Sequence, residues 1–137
     1  MVSSVEKQLE QLEDEIKKQK RHLEKLEDDY QSERRKLDEA LFELEDRKRA
    51  IDNFLEEKYD ESLSFLRQVD ADISESFANL NQLITNYTDT TDLVYHKERQ
   101  QLEEQSDQLY AKYSKEHSQI EQKIDDSFAQ RKRIILG

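Results

Sequence analysis

The chain has 137 residues, 40% of them charged and only 34% hydrophobic, with a formal net charge of −11. That balance leaves little material for a thick core, and the acidity disfavours nonspecific binding to nucleic acid or anionic lipid. There is no cysteine, which excludes both a disulfide framework and a thiolate metal site.

The stretch Met1-Val2-Ser3-Ser4-Val5-Glu6-Lys7 turns charged at once and has no apolar h-region, so no secretory signal peptide is expected. No apolar run comes near the ~20 residues that cross a bilayer, so no membrane insertion is expected either. The expected localisation is cytoplasmic, with any co-export by a route that reads no such signal. Ser3 with Glu6 has the spacing of a capping box, in which the serine serves the orphan amide three residues on.

From Ser3 to about Tyr87 there is neither glycine nor proline, and an apolar seam recurs every seven residues: Leu9, Ile16, Leu23, Tyr30, Leu37, Leu44 and Ile51. Val5, Leu12, Leu26, Ala40 and Phe54 take the second seam position, completing the a/d pattern of a left-handed coiled coil. Gln19, Glu33 and Arg47 occupy the alternate d positions. Polar groups there either discriminate register and partner or mark a loose, wet contact. After Ile51 the count slips by one to Tyr59, Leu66, Ile73, Leu80 and Tyr87, which predicts local relaxation of the supercoil within a continuous helix. Glu13–Lys17, Asp14–Lys18, Glu43–Arg47 and Glu45–Arg49 are acid-before-base pairs one helical turn apart on a solvated face.

Beyond Ile51 the apolar surface widens. Residues 51–87 carry 16 apolar side chains in 37 positions, against 13 in the preceding 46. A narrow stripe suits one neighbouring helix and a wide one implies two, so the middle of the chain is expected to be its best-buried part.

The run Thr85-Asn86-Tyr87-Thr88-Asp89-Thr90-Thr91-Asp92 has low helix propensity and predicts the sole turn at 85–91. A second helix is then expected over about 92–136, with Tyr95, Leu102, Leu109, Tyr113, Ile120, Ile124, Phe128 and Ile135 as its seam and Ser106 and His117 filling gaps. Arg131, Lys132 and Arg133 suit the dipole of its last turns. The expected fold is therefore all-α: a single domain over 1–137, an antiparallel helical hairpin with a long N-terminal coiled-coil helix at about 3–86. Folding there pairs residue 84 with 94 and 59 with 120, and the shorter arm runs out near 42–44. The seam from Leu9 to Leu44 must then face another helix, in another chain or, if the long helix breaks near Asp52-Asn53, in this one. Candidate partner-binding residues are accordingly Leu9, Leu12, Ile16, Leu23, Leu26, Tyr30 and Leu37 on the seam. Phe54, Phe65, Phe77 and Leu83 add the wide face.

No catalytic constellation emerges, and the protein is not expected to be an enzyme. The only glycine is Gly137, which excludes phosphate-cradling loops and nucleophile elbows. The residues three before His22, His96 and His117 are Gln19, Leu93 and Ser114, so the Glu-x-x-His pairs of a di-iron bundle are missing. His117 and Glu121 stand one turn apart, but two ligands do not make a metal site, and no metal or cofactor is expected. Tyr30, Tyr59, Tyr95, Tyr110 and Tyr113 read as amphipathic packing residues rather than stacking platforms for bases.

The charge-rich first helix, the aromatic middle with Phe54-Leu55-Glu56-Glu57 and Ser64-Phe65-Leu66, and the Tyr/Lys/Glu/Gln-rich second helix ending in Gln130-Arg131-Lys132-Arg133 resemble a known group. These are the small helical targeting partners of LXG-domain toxins in the type VIIb secretion systems of Gram-positive bacteria. The resemblance implies a chaperone or adaptor that binds the helical N-terminal domain of a secreted toxin, beside a second small helical protein. With no tryptophan in the chain, the Trp-x-Gly turn of the related WXG100 proteins is absent. The competing expectation is structural: a homodimeric coiled-coil spacer or scaffold.

Overall fold

The computed structural model describes residues 3–69 and 71–137. Met1 and Val2, part of the N-terminal stretch read above for a signal peptide, and Asp70 lie outside the described residues. Two helices, α1 (Ser4–Gln68) and α2 (Ser74–Leu136), pack against each other as an antiparallel hairpin. The all-α hairpin is as expected. The position of its turn is not.

α1 opens at the expected cap, where the Glu6 amide donates to Ser3 Oγ at 3.1 Å. It closes near Leu66, whose carbonyl accepts from the Val69 amide at 3.2 Å, the tightening typical of a last turn. Asp72 then starts α2. One oxygen of its carboxylate accepts from the Ser74 amide at 3.0 Å and the Ser74 hydroxyl at 2.7 Å. These two bonds hold its carboxyl below the usual aspartate range. Glu75 lies in the first turn, where the dipole favours an acid. Asp72-Ile73-Ser74-Glu75 is thus a start signal of the acid-x-x-Glu kind.

The break expected at 85–91 lies instead between the end of α1 at Gln68 and the start of α2 at Ser74, and α2 runs unbroken through the threonines. Each threonine costs at most about 0.7 kcal/mol of helix propensity, and Thr91 satisfies its own hydroxyl by donating to the Tyr87 carbonyl at 2.8 Å. Against that small cost stands the N-terminal seam, where fully burying one Leu or Ile gains about 1.5–3 kcal/mol. A break between Gln68 and Ser74 makes the arms 65 and 63 residues long, so the whole seam finds a partner in the chain itself. The pairings of 84 with 94 and 59 with 120 are replaced accordingly: Tyr59 lies beside Ile84 and Thr88. α1 does not break near Asp52-Asn53.

The chain forms two compact units. One, here the terminal unit, joins Met1–Lys36 to Gln105–Gly137; the other, the turn unit, is Leu37–Glu104. In the terminal unit Ile16 and Ile120 are buried, and Leu9, Leu12, Leu23, Leu26 and Tyr30 are half-buried. α2 meets them with Leu109, Tyr113, His117, Ile124, Ser127, Arg131 and Ile134, an alternation of threes and fours from 113 onward. Phe128 and Ile135, expected on that seam, stand one residue past it and are exposed, because Ser127 and Ile134 keep the register.

In the turn unit Leu44 is buried, and Leu37, Lys48, Asp52, Leu55, Tyr59 and Leu66 are half-buried. The heptad slip therefore falls between Lys48 and Asp52, ahead of its expected place, and Ile51 and Phe54 are turned outward. The middle of the chain is also not its best-buried part. Among the described residues of 51–87 none is fully buried, because one antiparallel neighbour covers one stripe only.

Replacing Asp72 with alanine should lower the melting temperature at pH 7, since it removes two bonds that start α2. Because the folded-state carboxyl titrates below its unfolded value, this contribution is present above about pH 4 and is lost as pH falls through the depressed value. Thermal melts followed by circular dichroism should show wild type and variant converging in acid.

Candidate docking surface

The seam of the terminal unit is occupied by the chain itself. Leu12 and Ile134 line one gap between the helices, and Leu26 and Tyr30 line another with Leu109 and Tyr113. The rings of Tyr30 and Tyr113 stack at 4.1 Å with an interplanar angle of 14°. Burial, with Glu27 nearby, pushes the Tyr113 hydroxyl above the usual tyrosine range. His117 lies against Tyr113, with Nε2 3.4 Å from Glu27 and Nδ1 3.6 Å from Glu121. Glu13 and Arg131 pair across the helices at 3.3 Å. Among the described residues no group of three or more His, Asp or Glu is disposed to hold a metal ion.

The three polar d positions part company. Gln19 is buried, its Nε2 donating to Glu15 at 2.8 Å while its Oε1 has no partner. Glu33 is exposed and paired with Lys36 at 3.0 Å. Arg47 is exposed and belongs to a groove of the turn unit. Only Gln19 is a polar group in a dry contact.

The turn unit has two unlike sides. On one, Lys48 binds Asp52, one turn on in α1, at 2.7 Å and reaches across to Asp92 of α2 at 3.2 Å, with its ammonium 5.4 Å from the Tyr95 ring centre. Hydrogen bonds to Asp52, then Asp92, hold that ammonium above the ordinary lysine range. The other side is apolar. α1 presents Ile51, Phe54, Lys58, Glu61 and Phe65, and α2 presents Leu80, Leu83, Tyr87, Thr90 and Val94. Both series step by three, four, three and four residues. Leu44, Arg47 and Ile51 line a groove with Thr90 and Val94, whose floor reaches Lys48 and Tyr95 and whose end carries Glu98, and nearer the turn Glu61 and Phe65 line a second with Ser76 and Leu80. Phe65 is 66% exposed, Phe54 55%, Tyr87 56%, Leu83 52% and Val94 50%. Lys58 lies along the stripe, 5.6 Å from the Phe54 ring centre and 3.1 Å from Glu61.

Of the eleven residues expected to bind a partner, the structure places Leu9, Leu12, Ile16, Leu23, Leu26, Tyr30 and Leu37 on the face of α1 toward α2. Phe54, Phe65 and Leu83 stand outward on the apolar side, and Phe77, 39% exposed, lies in the first turns of α2, off the Leu80–Val94 stripe. Ile51, Tyr87 and Val94 were not singled out for docking. The signal was available. Leu44, Ile51, Lys58 and Phe65 continue the first heptad phase past the slip, alongside Asp52, Tyr59 and Leu66 one residue later. Two parallel phases on one helix mean two apolar faces.

Charge divides between the units as sharply as exposed apolar surface. Residues 37–104 hold 18 acidic and 7 basic side chains, a net −11, whereas the rest of the chain holds 15 of each. Ten of the fifteen large apolar side chains exposed among the described residues also belong to the turn unit. No helix among the described residues is long and apolar enough to cross a membrane.

No family model matches this chain, and no curated protein and no solved structure matches it either.

Gln19→Leu should stabilise the hairpin by about 1–2 kcal/mol, because it removes a buried carbonyl that nothing satisfies, while Glu15 remains hydrated. Urea unfolding followed by circular dichroism checks this, with the midpoint rising and the slope unchanged.

Proposed function

We propose that this protein is a non-enzymatic helical adaptor that binds another helical protein through the apolar side of its turn unit. The observation that carries the reading is the concentration of exposed apolar side chains there, in two stripes at coiled-coil spacing beside a polar opposite side. Contiguous exposed apolar surface of this kind marks interaction sites on soluble proteins. Helix-in-groove recognition uses the same i, i+3, i+7 anchors. The resemblance to targeting partners of LXG-domain toxins supplies the partner class: the helical N-terminal domain of a toxin, held in the cytoplasm for export through a type VIIb system.

The test is to look for an LXG-toxin gene adjoining the gene for this protein and to co-express that toxin's N-terminal domain with it, followed by size-exclusion chromatography. The lack of any such neighbouring gene also counts against the toxin assignment. A stable complex is expected, and Phe65→Ser combined with Leu83→Ser should weaken it at least about tenfold, as loss of central anchors does. Both side chains are more than half exposed, so the variant should keep its helical circular dichroism. Absence of a complex removes the toxin assignment. A tight homodimer untouched by the two substitutions supports the coiled-coil spacer instead.

A further inference from the structure

We infer that the groove between the Ile51–Phe65 and Leu80–Val94 stripes receives a third helix from a different protein, one whose apolar seam is flanked by basic residues. This deepens the adaptor reading and rests on it for the existence of a helical partner; the face and the chemistry of the occupant come from the turn unit itself.

The geometry of the occupant follows from the spacing. Each stripe runs three-four-three-four, the interval at which one helix meets another in a left-handed bundle. Two such stripes, with one groove at Ile51 and Val94 and a second toward the turn at Phe65 and Leu80, suit a single helix laid between them and touching both. Lys58 does not close the stripe, since its ammonium is drawn onto Phe54 and Glu61 and its stem adds apolar surface.

The charge of the occupant follows from the imbalance. Residues 51–65 and 80–94, which carry the two stripes, hold seven acids against the single base Lys58, with Arg47 and Arg49 just ahead of them, and the unit as a whole has 18 acids against 7 bases. A basic flank on the incoming helix neutralises this field and speeds encounter, whereas an acidic flank opposes it. The same imbalance argues against a second copy of this chain, which would set one net charge of −11 against another across the groove. The terminal unit, neutral overall and with its seam filled, offers no comparable field.

Full-length protein and three synthetic helices of equal length decide the matter by fluorescence anisotropy. All share one composition of leucine anchors, with either lysine or glutamate at the flanking positions; the third is the lysine peptide with its heptad order scrambled. The ordered lysine helix should bind one to one, at least about tenfold tighter than the other two. That margin should shrink with added salt, as screened contacts do. Ile51→Asp with Val94→Asp should abolish binding, and Leu83→Asp alone should weaken it, with helical content kept. Tyr110→Ser, an exposed aromatic of the terminal unit, should change nothing. Equal binding of the ordered and scrambled lysine peptides overturns the inference, as does equal binding of the glutamate helix or indifference to Ile51→Asp with Val94→Asp. A homodimer in sedimentation equilibrium that this double substitution dissolves also overturns it, giving the groove to a second copy. If the peptide binds and the toxin domain does not, the groove stands and the toxin assignment falls. If the toxin domain binds and the peptide does not, the reverse holds.

Discussion

Two helices packed together share one line of contact, and each can cover only the stripe of the other that faces it. That constraint explains why a chain that is almost entirely helical has so little fully buried material: Ile16, Leu44 and Ile120 are the only buried hydrophobic residues described. Everything apolar off that line is left to solvent or to another molecule. Stability then rests on many half-buried side chains along the seam, each contributing less than the value for full burial, rather than on a compact centre. The interhelical pairs Glu13–Arg131 and Lys48–Asp92 hold two points of the register, at exposures where ion pairs add little energy but discriminate alignment.

The phase change between Lys48 and Asp52 turns this constraint into a division of labour along α1. Before it, a single heptad series serves α2. After it, a second series, Asp52, Leu55, Tyr59 and Leu66, takes over that duty, and the original one continues through Ile51, Phe54, Lys58 and Phe65 on the outside. At the crossover the inward position falls to Lys48. A lysine is tolerable there because two carboxylates and the face of Tyr95 surround it. The polar triad and the apolar groove are thus two results of one shift in register.

Net charge follows the same division. A neutral unit closed on its own seam and an acidic unit with an open apolar side sit in one chain, although its average composition describes neither. The −11 that argues against nucleic acid and anionic lipid for the whole protein belongs entirely to residues 37–104. It therefore bears on what can approach the groove.

Helicity, the seam from Leu9 to Leu44, the cap at Ser3 and the existence of a slip in heptad phase, though not its place, were legible from residue order, because they depend on spacing and on contacts within a few positions. The location of the turn was not. Local propensity pointed to the threonines at 85–91, where several tenths of a kcal/mol separate helix from break. The choice fell instead to the long-range match of two arms, in which the seam from Leu9 to Leu44 finds its cover in the far end of the same chain. Asp72 and Glu75 carried a start signal, but in a stretch without glycine or proline nothing ranked it above the polar run. Nor does spacing alone say which of two adjacent heptad phases faces inward. That was decided by the neighbour: α2 meets Asp52, Leu55 and Tyr59, and so leaves Ile51, Phe54 and Phe65 outside. Propensity is a sum of small local terms, and the tertiary arrangement overrides it because burying a seam gains more at each apolar position than any one threonine costs.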